Sequence, residues 1–455
     1  MPRPEPPGRG RGAGQPKIAK TGSLLSARWV VPVEPAGAVL DDHAVAVRDG
    51  RIEALLPERD AAARFPGYEK HELKSHVLMP GLVNAHTHAA MSLLRGLADD
   101  LPLMRWLEEH IWPAESKHVS RDFVRDGTLL ACAEMLRGGI TCFNDMYFFP
   151  DASLEAALAA GLRSAQGMIV IEFPSAYASD AADYLRRGLE VRDRYRDEPL
   201  ASFCLAPHAP YTVSDSSLKH ISTLAAELDV PVHIHLQETR GEIERSVAEH
   251  GVRPLERMAR LGLVGPSLVA VHAVHLNDAE IDLLAREGAS VVHCPSSNLK
   301  LASGFAPVHA LMTKGVNVAL GTDGAASNNR LDLFQEMRSA ALLAKAVAGD
   351  AQAMPAHAAL RAATLAGARA LGLEKTTGSI EPGKAADLIA VDFSAPELAP
   401  CYDVVSHLVY AAGREQVSHV WVGGRLLMRE RQLENPALER LEPRWQLWQN
   451  AVRKI

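Results

Sequence analysis

The chain has 455 residues, of which 47% are hydrophobic, and its formal net charge is −7. This length exceeds the usual limit for one hydrophobic core, so we expect one large domain and a smaller one. The acidic balance gives no electrostatic reason to expect binding to nucleic acid or to an anionic membrane, and no apolar stretch is long enough to span a bilayer.

The first twenty residues are rich in Pro, Gly and Arg and lack the apolar segment of a secretory signal. This composition predicts a disordered leader over residues 1–20. The five cysteines include no Cys-x-x-Cys pair. An odd number of cysteines in this pattern favours a reducing compartment, so we predict a cytoplasmic location.

Both ends of the remaining chain are rich in predicted strands. Near the N-terminus, two alternating segments, Val45–Arg48 and Arg51–Leu55, flank an Asp-Gly turn, which is a strong hairpin signal. Near the C-terminus, 386–391 and 417–422 have similar strand character. Together the two ends predict a small β-sandwich domain built from separate parts of the chain.

The middle of the chain alternates predicted strands and helices. One helix is predicted to begin after Ser120, a good N-cap residue, and to stop at Gly138-Gly139. Eight strands with intervening helices indicate an α/β fold, a (β/α)8 TIM barrel, whose catalytic groups lie at the carboxyl ends of the strands. The predicted strands end near His88, Asp145, Val170, His208, His235, His272, His293 and Asp323. The predicted organisation is a leader at 1–20, a composite β-sandwich domain at 21–77 and 377–428, a barrel at 78–376, and a C-terminal helical tail at 429–455.

Several of these strand ends carry side chains that bind metals. His86 and His88 are two residues apart, so on a strand both side chains point to the same face. His235 and Asp323 can approach the same point from other strands. Three imidazoles and one carboxylate suit Zn2+, and Fe2+ or Mn2+ are alternatives. If these residues were instead ordinary core histidines, several buried polar rings would have to find partners by chance.

The sequence resembles the amidohydrolase superfamily and, within it, the branch of 5-methylthioadenosine/S-adenosylhomocysteine deaminases and related chlorohydrolase-like enzymes. The resemblance covers nearly the whole chain after the leader. The motifs that carry it are Pro-Gly-Leu-Val-Asn-Ala-His-Thr-His at 80–88, Trp106, Pro-Ala-Glu at 113–115, His-Ile-His-Leu-Gln-Glu at 233–238, Pro-Ser-Ser-Asn-Leu-Lys-Leu at 295–301 and Leu-Gly-Thr-Asp-Gly-Ala-Ala-Ser-Asn-Asn at 320–329.

The resemblance implies a catalytic site with one divalent cation. Binuclear members of the superfamily bridge two metals with a carboxylated lysine on the fourth strand, and the segment Phe203–Pro207 offers no lysine. Asp323 is then both a metal ligand and the group that takes the proton of the attacking water. Glu238 is expected to protonate the substrate ring, and His272 to orient the water.

The same resemblance predicts contacts with a small nucleoside substrate. Glu115 matches the residue that accepts hydrogen bonds from ribose hydroxyls, and His208 matches a second nucleoside contact. Glu238 and Asp323 face the reacting base, while Trp106 can lie against a heterocycle. Asn298 is a further candidate for the pocket wall. For Trp106 and Asn298, helix packing and loop hydrogen bonding are alternative roles.

The choice of substrate has competing interpretations. Relatives that accept S-adenosylhomocysteine typically carry arginines after the third strand, whereas this chain has none between Met168 and Arg186. This favours 5-methylthioadenosine or adenosine, which lack the amino-acid carboxylate. A hydrolase of guanine, oxidised purines or triazines is the alternative, and a non-catalytic scaffold is a remote one. The resemblance also implies a homo-oligomer.

Overall fold

Two eight-stranded sheets organise the chain in the computed structural model, which describes residues 22–453. The predicted leader, 1–20, lies outside the described residues. The strands are β1 (Ser23–Val30), β2 (Leu40–Arg48), β3 (Arg51–Pro57), β4 (Glu69–Pro80), β5 (Leu82–Thr87), β6 (Ile140–Asp145), β7 (Arg163–Val170), β8 (Ala201–Pro207), β9 (Val232–Leu236), β10 (Leu268–His272), β11 (Ser290–His293), β12 (Asn317–Leu320), β13 (Leu388–Asp392), β14 (Val417–Val422), β15 (Arg425–Arg429) and β16 (Gln432–Leu433).

The α-helices are mostly short and lie between the strands. They are α1 (Glu58–Arg64), α2 (Leu103–Trp106), α3 (Trp112–His118), α4 (Arg121–Arg137), α5 (Pro150–Ala160), α6 (Ala181–Tyr195), α7 (Asp215–Leu228), α8 (Arg240–His250), α9 (Pro254–Arg260), α10 (Asp278–Glu287), α11 (Pro295–Lys300), α12 (Val308–Thr313), α13 (Ala325–Asn328), α14 (Leu333–Ala348), α15 (Ala356–Ala362), α16 (Leu365–Ala370), α17 (Val404–Tyr410) and α18 (Glu442–Val452). Within residues 22–453, none of the helices combines the length and the apolar character that crossing a membrane requires.

Strands β5 to β12 form the barrel and follow one another in sequence order, each parallel to its neighbour. The chain after β12 returns to β5, where Asp323 N donates to His86 O at 3.0 Å. The predicted (β/α)8 TIM barrel is therefore confirmed. Seven of the eight strands end within one residue of the predicted point; only β12 stops three residues early, at Leu320.

Burial on both faces explains why these segments form barrel strands. Every residue of β5 and of β9 is buried, including their histidines, because side chains pack both inside the barrel and against the outer helices. Helix α4 begins as predicted, since the Ser120 hydroxyl accepts from Phe123 N at 3.2 Å, and it ends at Gly138.

The second sheet joins the two ends of the chain, as predicted. Its strand order is β16-β15-β14-β13-β4-β1-β2-β3, so β13 from the C-terminal part pairs with β4 from the N-terminal part. Strands β2 and β3 form the predicted hairpin, with Arg48 opposite Arg51. Leu25, Val45 and Leu388 share one apolar core on this sheet. The domain therefore needs both ends of the chain to complete its interior.

The chain passes from the second sheet to the barrel through a very short linker. Only Gly81 separates β4 from β5, and a Cβ at Gly81 would lie 2.0 Å from Thr141 Oγ1, so glycine is required at this close approach. A buried ion pair, Arg163 Nε to Asp387 Oδ2 at 2.9 Å, ties the barrel to the smaller domain. The proposed boundary between residues 77 and 78 falls inside β4, and the proposed tail begins with the end of β15 and β16 before it becomes helical at α18.

Candidate metal centre and active site

The carboxyl ends of three barrel strands bring the predicted metal ligands together, and a fourth strand adds His272 beside them. His86 lies in β5, His88 directly follows that strand, and His235 lies in β9. Asp323 follows β12 by three residues and adopts a left-handed conformation, with φ 60°. His272, the last residue of β10, is also left-handed, with φ 69°. In parallel strands these ends share one rim, so residues distant in sequence become neighbours.

The distances between the ligand atoms fit a tetrahedral cation. His86 Nε2 lies 3.2 Å from His235 Nε2 and 3.4 Å from Asp323 Oδ1. His88 Nε2 lies 3.3 Å from the same carboxylate oxygen. Metal–ligand bonds of about 2.1 Å in a tetrahedron separate neighbouring ligands by about 3.4 Å. These three contacts have the spacing of neighbouring zinc ligands. Among the described residues the donor atoms form two groups that share His86, each within 4.8 Å: His86, His88 and Asp323, and His86, His235 and His272.

Hydrogen bonds behind two of these histidines select the tautomer needed for metal binding. His88 Nδ1 lies 2.6 Å from Met146 O, and His235 Nδ1 lies 2.6 Å from His208 O. A carbonyl oxygen only accepts, so Nδ1 must carry the hydrogen in both rings. Each Nε2 then presents its lone pair to the centre. Carbonyl partners of this kind are typical of metal-binding histidines.

His86 is fixed from behind by a second histidine. Its Nδ1 lies 2.8 Å from His233 Nε2, and both rings are buried. Gly321 packs against His86, because a Cβ at position 321 would lie 2.9 Å from both the Cβ and the backbone N of His86. The barrel seam between β12 and β5 therefore determines where His86 lies.

The two carboxylate oxygens of Asp323 have different partners. Oδ1 faces His86 and His88, whereas Oδ2 accepts from Ser297 Oγ at 2.6 Å and from Ser327 Oγ at 2.8 Å. Burial opposes ionisation, but the two histidines hold the pKa of Asp323 well below its ordinary value. The group is therefore a permanent anion that can coordinate a cation.

Glu238 and His272 lie beside this centre. Glu238 Oε2 is 3.7 Å from His272 Nε2, and Glu238 Oε1 accepts from Ser303 Oγ at 3.1 Å. Burial raises the pKa of Glu238, which favours the protonated form that can act as an acid. His272 Nδ1 lies 2.8 Å from Asn298 Oδ1, so the structure places Asn298 behind His272 and outside the main cavity wall.

A cavity of about 460 Å³ opens above these residues. Its floor is polar and includes His88, His235, Glu238, His272 and Asp323. Most of its wall is apolar. The wall includes Trp106, Ile111, Phe148, Ile171, Phe173 and Leu301. Such a pocket, with few polar groups converging at one end, is typical of a small-molecule site.

Glu115, on α3, is a half-buried carboxylate in the cavity wall. It accepts a hydrogen bond from Tyr147 Oη at 2.6 Å. Burial raises the pKa of Glu115 to about 7, despite the opposing effect of the Tyr147 hydroxyl. A half-ionised carboxylate at this position can accept further hydrogen bonds from a polar ligand.

Two other predicted substrate residues also line the cavity. His208 Nδ1 lies 3.1 Å from Thr212 Oγ1, whose own hydrogen goes to Ala209 O. Nδ1 of His208 is thus the donor, and its Nε2 is free to accept. Burial lowers the pKa of His208 to about 3, so the ring is neutral. Trp106 contributes its ring to the wall, while its indole nitrogen donates to Ala98 O at 3.1 Å.

Some residues of the site were not predicted from the sequence. His233 stands two residues before His235, so the i, i+2 rule used for His86 and His88 could have found it. Tyr147 follows the end of β6 by two residues, a position typical of site residues in barrels. The serines that hold Asp323 and Glu238 carry no comparable signal.

This chain matches one family model, and it is similar to a sequence relative and to a solved structure over most of its length. The amidohydrolase family model matches residues 77–427. The 5-methylthioadenosine/S-adenosylhomocysteine deaminase of Saccharophagus degradans is 50% identical over 411 residues, which cover 90% of this chain and 92% of that protein. The crystal structure of an adenosine deaminase from Xanthomonas campestris with bound zinc is 52% identical, with a TM-score of 0.94, over 96% of this chain and 99% of that one.

A more distant structure shares the fold alone. The zinc complex of atrazine chlorohydrolase from Arthrobacter aurescens TC1 is 22% identical, with a TM-score of 0.87, over 93% of this chain and 99% of that one. The family model spans well over half of the chain, and the two closer proteins match it nearly end to end. This chain therefore belongs to the amidohydrolase family.

Proposed function

We propose that this protein is a metal-dependent hydrolytic deaminase of adenine nucleosides. The observation that carries the proposal is the series of contacts at 3.2–3.4 Å that joins His235, His86, Asp323 and His88, with Glu238 and His272 in the cavity beside them. Relatives at 46–50% identity that are 5-methylthioadenosine/S-adenosylhomocysteine deaminases support the reaction class.

We propose a single zinc ion as the cofactor, held by His86, His88, His235 and Asp323. When bound, it supplies the Lewis acidity that makes a water nucleophilic near neutral pH. Neutral imidazoles and one carboxylate at tetrahedral spacing favour zinc over the larger, oxygen-seeking cations. The zinc-bound structure from Xanthomonas campestris is consistent with this choice.

Three side chains of this chain then carry the proton transfers. Asp323 accepts a proton from the attacking water, which His272 Nε2 orients. Glu238, whose pKa is raised by burial, donates its proton to the ring nitrogen next to the attacked carbon. The protonated ring stabilises the tetrahedral adduct of the substrate. Asp323 then passes its proton to the amino group, which leaves as ammonia, and the hydroxyl proton of the adduct returns to Glu238 as the carbonyl forms. One water and one adenine nucleoside thus give ammonia and the inosine analogue.

The cavity also supports a choice among adenine nucleosides. Glu115 is positioned to accept hydrogen bonds from ribose hydroxyls, and His208 Nε2 to accept one from the nucleoside. Among residues 22–453, no lysine or arginine lines the cavity. A charged amino-acid carboxylate would enter without a partner, so 5-methylthioadenosine and adenosine are the preferred substrates over S-adenosylhomocysteine.

Ammonia release from a panel of substrates tests the proposal. We expect turnover of adenosine and 5-methylthioadenosine by the zinc-loaded protein, slower turnover of S-adenosylhomocysteine, and none of guanine or triazines. Turnover of guanine or a triazine without turnover of any adenine nucleoside would refute the proposed function. Faster turnover of S-adenosylhomocysteine than of 5-methylthioadenosine would refute only the argument that the cavity, as lined by residues 22–453, has no lysine or arginine to bind the amino-acid carboxylate.

A further inference from the structure

Glu242 is a buried carboxylate next to the active site that has no part in the reaction described above. It lies in the first turn of α8 and is only 7% exposed. It lines neither the main cavity nor the metal centre. Because burial of a carboxylate is unfavourable unless hydrogen bonds compensate, its position calls for a structural explanation.

The helix cap shows that Glu242 departs from the usual arrangement. Thr239 is the N-cap of α8, and its hydroxyl accepts from Glu242 N at 3.3 Å. In a capping box, the glutamate at the third helical position returns to the backbone N–H of the N-cap residue. Helix α10 has this complete pair, formed by Asn277 and Glu280. In α8 the glutamate reaches further back along the chain.

The carboxylate of Glu242 holds the two residues that follow β9. Oε1 accepts from Gln237 N and Oε2 accepts from Glu238 N, both at 2.9 Å. Gln237 adopts a left-handed conformation, with φ 53°. This conformation is unfavourable for a residue other than glycine, so it persists only where the surroundings hold it. Both oxygens of Glu242 are therefore used to stabilise this turn.

The side chain of Gln237 is held as firmly as its backbone. Its Nε2 donates to His275 O at 3.0 Å and to Glu280 Oε2 at 3.1 Å, and its Oε1 accepts from Leu255 N at 3.0 Å. By contrast, the Glu238 side chain accepts one hydrogen bond, from Ser303 at 3.1 Å. The direction of Glu238 into the cavity thus depends mainly on the turn that carries it.

We propose that Glu242 is a positioning residue for Glu238. By binding two successive backbone N–H groups, it holds the left-handed turn at Gln237 and so aims the Glu238 carboxyl at the substrate ring. This inference rests on the proposed function, in which Glu238 is the proton donor. It adds a residue that does not touch substrate but determines whether the donor can reach it.

The test compares Glu242→Gln with Glu244→Gln, an exposed glutamate on the same helix. A glutamine can accept only one of the two hydrogen bonds, and its amide N–H₂ would face the other backbone N–H. We expect kcat for adenosine to fall by about 100-fold, as for a donor displaced by about 1 Å. We expect KM and the zinc content to stay close to those of the wild type. Glu244→Gln should keep wild-type kcat.

A double-mutant cycle with Glu238→Gln separates positioning from a general structural role. If Glu242 acts through Glu238, adding Glu242→Gln to Glu238→Gln should lower kcat no further. Additive losses, or a parallel loss of zinc, would overturn the inference. If Glu242→Gln does not fold, Glu242→Asp serves instead, because its shorter side chain keeps both carboxyl oxygens but cannot reach both N–H groups. Wild-type kcat in Glu242→Asp would also overturn it.

A crystal structure of the Glu242→Gln variant gives a readout that needs no substrate. We expect Glu238 to lose its hydrogen bond to Ser303, and an unmoved Glu238 would overturn the inference even if kcat falls. The wild-type assay with adenine nucleosides tests the proposed function separately. Failure of that assay with a displaced Glu238 in the variant would refute the function and leave the positioning role supported.

Discussion

Replacing Glu115 with glutamine should weaken catalysis and at the same time stabilise the fold. Burial raises the pKa of Glu115 to about 7 from the ordinary value of 4.5. The folded protein therefore binds this proton more tightly than the unfolded chain. The contribution of this proton to the free energy of unfolding is fully present below pH 4.5 and is lost as the pH rises through 7. At alkaline pH the folded state contains an unfavourable buried charge.

The pKa shift determines the size of this effect. Each pKa unit corresponds to about 1.4 kcal/mol, so the ionised form destabilises the fold by about 3 kcal/mol at pH 8 and by about 1 kcal/mol at pH 5. Glutamine is neutral at both pH values and can still accept from the Tyr147 hydroxyl. For a chain of this size, 3 kcal/mol corresponds to a rise in Tm of about 3 °C.

Thermal unfolding of metal-free protein at pH 5 and pH 8 measures this difference. The metal is removed because a nearby cation would itself lower the pKa of Glu115. We expect Glu115→Gln to gain about 3 °C at pH 8 and about 1 °C at pH 5, while the exposed control Glu108→Gln gains nothing. A gain in Tm that is equal at the two pH values would refute the assignment of the effect to a buried charge.

The same variant should lose activity towards nucleosides. A hydrogen bond from a ribose hydroxyl to a carboxylate is worth about 1.5–3 kcal/mol, which corresponds to a loss in kcat/KM of about 10- to 100-fold. Free adenine has no ribose, so its turnover, if measurable, should be unaffected by the change. Equal losses for adenosine and adenine would show that Glu115 does not contact the ribose.

Three further predictions concern the centre itself. Glu238→Gln should lower kcat by about 100- to 10,000-fold with little change in KM, and a kcat above one tenth of the wild-type value would exclude Glu238 as the proton donor. Gly321→Ala should weaken zinc affinity by about 10- to 100-fold, because the added Cβ meets His86 at 2.9 Å, whereas Gly265→Ala, which meets nothing within 4 Å, should leave it unchanged. Removal of the metal with a chelator should abolish ammonia release, and added zinc should restore it; full activity of protein shown to be metal-free would contradict the proposed chemistry.

The sequence predicts those parts of the site that depend on strand periodicity. The i, i+2 spacing of His86 and His88 and the apolar runs before His235 and His272 predict that these residues lie at strand ends. The barrel fold then required the strand ends to meet. The order of the strands and the composite second sheet are confirmed for the same reason, since both follow from local alternation and from turn residues.

Contacts between residues far apart in sequence could not be predicted in this way. Nothing in the local pattern relates Tyr147 to Glu115 or Asn298 to His272, because these pairs depend on how loops fold over the barrel rim. The sequence does not predict the left-handed conformation of Asp323 either, since a residue with a Cβ normally avoids it. Such conformations are held by tertiary hydrogen bonds, which local sequence propensities do not predict.

Several unfavourable features of this structure lie at the rim of the barrel. Gln237, His272 and Asp323 have left-handed backbones, and Glu115 and Glu238 are half-buried and buried carboxyl groups, respectively, whose pKa values are raised. Strained backbone and buried charge both destabilise a fold, and the close-packed barrel beneath them offsets this. The left-handed turns direct side chains towards one point, and burial raises the pKa of Glu238. The same features that lower stability therefore prepare the site for proton transfer. Variants that relax them should therefore be more stable and less active, as expected of Glu115→Gln.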